Sequence, residues 1–153
     1  MKFSILILVF TLFSGDCNTK ITSEASLSNV NQKTITMVYR ASSRGFFEEI
    51  TVSKSTITIS NDRTGKNIQT IKNTTKNWDV CLKLLTKIDL YELPNIEAPT
   101  SMRDIDGAAH ATLIIKEASG EIQSKTFDHE YPPTEIKSLV EKLLSLKKNS
   151  PKQ

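Results

Sequence analysis

The stretch ATLIIKEASGEIQSKTF, residues 111–127, decides the fold. Its first half is almost continuously apolar, and Ala118 to Gly120 make a turn into a more polar second half. A strand that is apolar on both faces needs cover on both, so it is expected at the centre of a sheet with its hairpin partner beside it.

The segments before this hairpin read as further strands. In KTITMVYRA, Ile35, Met37 and Tyr39 alternate with Thr34, Thr36, Val38 and Arg40, and SSRG ends the run with a turn signal. FFEEITVS places Phe46, Ile50 and Val52 in phase, STITIS adds Ile57 and Ile59, and NDRTGKN turns around Gly65 into IQTIK. Connections this short make neighbours pair, which predicts an antiparallel meander of three or four strands.

Two helices complete the pattern. Trp78, Cys81, Leu84, Leu85 and Ile88 repeat at helical spacing, and Asn73, Thr74 or Thr75 can cap the first turn. Asn73-Thr74-Thr75 also spells an N-glycosylation site, of consequence only in a eukaryotic host. In PPTEIKSLVEKLLSLKK, Pro133 suits the first helical position and Glu135 the N-terminal dipole, and Ile136, Leu139, Val140, Leu143 and Leu146 form an apolar stripe. The expected fold is α+β: a single antiparallel sheet of about five to six strands with both helices packed on one face, in the order β-β-β(-β)-α-β-β-α. Val38, Arg40, Phe47, Glu49 and Thr51 are candidates for the opposite, open face.

The N-terminus reads as an export signal. Lys2 precedes an apolar run, Phe3 to Phe13, of signal-peptide length and too short to span a membrane. Cys17 sits where a bacterial lipoprotein carries its lipidated cysteine, but Asp16 occupies the position where a small residue is expected. Lipidation at Cys17, cleavage by ordinary signal peptidase after Ser14 or Cys17, and retention as an uncleaved anchor all remain open. Cys17 could also pair with Cys81, although Cys81 is expected in the core as a small hydrophobe. The organisation is then a leader over 1–17, a Ser/Asn/Thr-rich flexible tether over 18–33, one domain over 34–147 and a disordered tail over 148–153. Without the leader roughly 137 residues remain, which suffices for a single core.

Composition narrows the function classes. Twenty Lys and Arg against seventeen Asp and Glu give a net charge of +3 with no dense basic run, so nucleic acid is not expected as a partner. Two cysteines without a CxxC or clustered histidines argue against a structural zinc centre, and neither a nucleophile elbow nor a Gly-rich phosphate loop is present. No metal or cofactor is expected. DIDG has the look of a calcium loop, but the twelve-residue pattern needs acids where Met102 and Leu113 stand.

The candidate chemistry lies in MRDIDGAAH and FDHEYPP. His110 and His129 are the only histidines, each with carboxylates nearby, and a hairpin brings them to one end of the sheet. His110, His129, Asp106 and Asp128 are the catalytic candidates, since two imidazoles with a carboxylate can move a proton or hold a metal. Arg103, Asp104 and Asp106 are the binding candidates. Turn formation by Asp106, capping by Asp128 and a main-chain hydrogen bond from His129 explain the same residues without chemistry.

The elements RDIDGAAHATLIIK and FDHEYPPTEIKSLVEKL resemble a group of uncharacterised small bacterial exported or lipoprotein domains that carry similar DGA-H and FDH-PP elements. The resemblance covers roughly the last 50 residues. It implies the same α+β ending and an envelope address, and no activity. The expected function is therefore that of a small exported cell-envelope protein. It would be a non-enzymatic module that binds an envelope or secreted protein through the open sheet face or the 91–107 loop. The location would be periplasmic or outer-membrane-anchored, with secretion as second choice, and a lipid anchor would make the only membrane contact. The alternative is a metal-dependent or acid/base enzyme using His110, His129 and nearby aspartates.

Overall fold

The computed structural model describes residues 35–148; Cys17, the leader, the tether and the residues after 148 lie outside it. Strand β1 (Thr36–Ser42) pairs antiparallel with β2 (Phe47–Ser53), which pairs with β3 (Thr56–Ser60), which pairs with β4 (Ile68–Lys72). Helix α1 (Thr75–Leu85) follows, then a long connection with 3-10 turns at Leu93–Asn95 and Met102–Ile105. Strand β5 (His110–Glu117) then enters beside β1, followed by β6 (Gly120–Gln123), β7 (Phe127–Asp128) and helix α2 (Thr134–Lys148).

The sheet order is β4-β3-β2-β1-β5-β6, with β7 also paired to β5. The apolar strand at 111–115 is central, as its sequence demands: Leu113, Ile114 and Ile115 are all buried, with β1 on one side and β6 and β7 on the other. The architecture is α+β, one antiparallel sheet with two helices. Among the described residues seven strands form where about five to six were expected, because the last one is divided. Ile114 faces Gln123, yet Ala111 faces Phe127, so three residues on one strand oppose two on the other. Ser124 bridges this bulge: its N–H donates to the Leu113 carbonyl (2.9 Å), and its Oγ accepts from Leu113 N–H (3.0 Å). A one-residue slip exchanges the faces of everything after it, which turns Phe127 into the core and Asp128 to the other side.

The core lies between the helices and the face carrying Met37, Tyr39, Ile50, Val52, Ile57 and Leu113. Trp78, Cys81 and Leu85 of α1 enter it, with Ile88 just past the helix end, and so does the whole predicted stripe of α2. Thr74 is the cap of α1, accepting from Asn77 N–H at 3.1 Å. Asn73 is buried and donates to the Ser53 carbonyl (2.7 Å), so the folded domain does not present its glycosylation motif. One charged side chain also faces the helices: Glu48 is 3 % exposed and ion-paired with Lys147 of α2. It occupies the same phase as Ile50 and Val52, where alternation alone would place an apolar residue.

The outer face is polar. Arg40 and Glu49 form a cross-strand ion pair at 2.6 Å, Thr51, Thr58 and Thr70 stand side by side, and Val38 and Ile114 lie buried among their neighbours. Of the described large apolar side chains that are exposed, only Ile68 belongs to this face. No helix among the described residues is long and apolar enough to cross a membrane.

Candidate functional site

Asp128 is the most heavily hydrogen-bonded carboxylate among the described residues. The bulge directs it to the outer side of the sheet, opposite His110, where the connection after α1 folds over it. Its carboxylate is fully buried and accepts four hydrogen bonds: Thr100 Oγ1 (2.6 Å), Met102 N–H (2.7 Å), Arg103 N–H (3.0 Å) and the Arg103 guanidinium (3.0 Å). Burial by itself would raise its pKa. The bonds from Thr100, from Arg103 main chain and side chain, and from Met102 outweigh that and hold it at about 2. Two of these donors are otherwise unpaired N–H groups of the 3-10 turn at Met102–Ile105, so Asp128 caps that turn from a distant strand.

The same loop places the other acidic candidates. Arg103 also donates to the Thr100 carbonyl (2.6 Å) and lies 3.9 Å from Asp104, which is exposed. Asp106 ends the turn in the left-handed conformation (φ 58°) and is exposed. Gly107 follows so closely over the turn that a Cβ there would meet the Met102 carbonyl at 3.1 Å. The carboxylate of Asp128 and its donors hold this backbone from beneath, while the side chains above are left bare: Ile105 is 79 % and Met102 50 % exposed.

The two histidines belong to the same end of the sheet but to opposite faces. His110 alternates with core-facing Ala111 and stands exposed on the outer face. His129 turns to the helix side, where Nδ1 lies 2.6 Å from the Tyr39 hydroxyl and its ring stacks at an angle against Phe46 (5.1 Å between centroids). Burial, then the charge of Glu48, pushes the Tyr39 phenol well above its ordinary pKa, and its oxygen accepts a main-chain bond from Glu130. The Tyr39 hydroxyl and Nδ1 of His129 share one hydrogen bond, and the other ring nitrogen, Nε2, lies 3.9 Å from Glu130. Among the described residues no group of three His, Cys, Asp or Glu side chains is placed to hold a metal.

A cleft of about 600 Å³ opens at the His110 end of the outer face. Ser42 at the end of β1 and Ser43 and Arg44 of the β1–β2 turn line it, with Arg63 of the β3–β4 turn and the segment Asp106 to His110. The sequence reading missed both arginines, because each lies in an ordinary turn and only the pairing of β1 with β2 and β5, and of β2 with β3, brings the turns together. No protein-family model, curated protein or solved structure matches this chain.

Proposed function

We propose that the domain is a non-enzymatic docking module of the cell envelope that engages a protein partner through the loop around Met102–Ile105. The observation that carries this reading is the buried Asp128, whose four hydrogen bonds are spent on fixing a loop that exposes Ile105 and Met102. A loop whose backbone is fixed before binding loses little entropy on docking, and the apolar side chains it presents can then serve as anchors. The separation of the imidazoles, and the complete use of Asp128 by structural donors, also favour binding over catalysis. The outer sheet face, with its threonines and ion pairs, offers less to a partner than the loop does.

The envelope address rests on Lys2, the apolar run from Phe3 to Phe13 and the position of Cys17, together with the resemblance of the C-terminal elements to small exported bacterial domains. A photo-crosslinking residue at position 105 tests the docking reading in exporting cells. The expected result is one discrete protein adduct, lost when Asp128→Asn loosens the loop and absent when the probe stands at Thr70. The same adduct pattern from positions 70 and 105 would overturn it.

A further inference from the structure

We propose that the cleft between the β1–β2 turn, the β3–β4 turn and the start of β5 binds a phosphate ester, with Arg44 and Arg63 as its anion-holding residues. The chain has four arginines. Two are matched to carboxylates, Arg40 to Glu49 at 2.6 Å and Arg103 to Asp128 at 3.0 Å. The other two, Arg44 and Arg63, make no ion pair among the described residues, and both line this one cleft.

The neighbouring acid that would be expected to neutralise Arg63 is otherwise occupied. Asp62 turns its carboxylate into its own turn, accepting from Thr64 N–H (3.0 Å), Lys66 N–H (3.2 Å) and the Thr64 hydroxyl. Arg63 donates from one terminal nitrogen to the Ser43 carbonyl, which orients the guanidinium and leaves its remaining N–H groups available. Arg44 and His110, with Ser42 and Ser43 beside them, line the cleft from two other elements and bring further donor groups to it. Donors arriving from three elements suit the tetrahedral oxygens of a phosphate better than a planar carboxylate, which a single guanidinium satisfies.

The space exceeds what a free phosphate needs. A volume of about 600 Å³ is that of a small-ligand site, and Arg63 also borders two adjoining hollows of about 370 and 240 Å³. The phosphate should therefore carry an organic group. Asp106, on the cleft wall without an ion-pair partner among the described residues, would accept from a hydroxyl or ammonium of that group. A soluble ester and a phospholipid headgroup both have this chemistry.

The test is calorimetric and NMR titration of the processed chain with glycerol 3-phosphate, beside flotation with phosphatidylglycerol or phosphatidylcholine vesicles. Saturable binding with resonance shifts at Arg44, Arg63 and His110 is expected. Arg44→Gln and Arg63→Gln should each weaken it at least about tenfold, while Lys116→Gln on the same face leaves it unchanged. Binding of glycerol 3-phosphate without vesicle association identifies a soluble ester; vesicle association that the ester displaces identifies the headgroup. No binding of either up to about 10 mM ester would overturn the proposal, as would binding unaffected by Arg44→Gln, whose exposed side chain is not needed for folding. Ile105 lines no part of the cleft, so failure here leaves the docking reading standing, and the reverse also holds.

Discussion

Replacing Asp128 by asparagine removes a charge at which four donors point, and sets an amide N–H₂ against them. A loss of about 3 kcal/mol is expected in denaturant unfolding, together with faster amide exchange at Met102 and Arg103. The pH dependence follows from the sign of the shift. The folded pKa of about 2 lies below the ~3.9 of an unfolded aspartate, so the stabilisation is complete above about pH 4 and is lost as the pH falls through about 2. Unfolding curves of the native chain and the Asp128→Asn variant should therefore converge between these limits. The proximity of Asp128 to MRDIDGAAH was legible in the sequence, since His110 and FDHEYPP had to meet at one end of the sheet. Its burial was not, because the covering loop comes from a stretch with no periodicity to read. Glu48 was equally hidden: a glutamate in a core phase has meaning only once Lys147, on a helix far away in sequence, is known to reach it.

Elements carry their own tests. Thr74→Ala removes the side-chain cap of α1 and should cost about 1 kcal/mol, read as a lower thermal midpoint. Ser124→Ala is expected to cost more, roughly 1–3 kcal/mol, since it strands the buried Leu113 N–H at the bulge. The stripe of α2 and the central position of β5 could be read directly because helical period and uninterrupted apolarity are local signals. The bulge could not. Nothing in EIQSKTF marks where one extra residue enters, and that residue determines that Phe127 faces the core while Asp128 and His129 part to opposite sides. A hairpin without the bulge would have kept the predicted proximity and inverted the faces.

For the molecule as a whole, one sheet and one core predict a single cooperative unfolding transition. Ile105→Ser should leave that transition within about 0.5 kcal/mol of the native value, because the side chain is exposed, while abolishing the adduct formed by a crosslinking probe at Met102. The first of the described strands is the one that ends up between two partners, and the second of these, β5, begins more than sixty residues after β1 ends. Until β5 arrives, the four-strand meander presents the long open edge of β1, with Met37, Tyr39 and Ala41 uncovered by the rest of the core. A nascent or truncated chain ending before residue 110 is thus an unfinished template for pairing with its neighbours, and should self-associate where the complete domain closes upon itself.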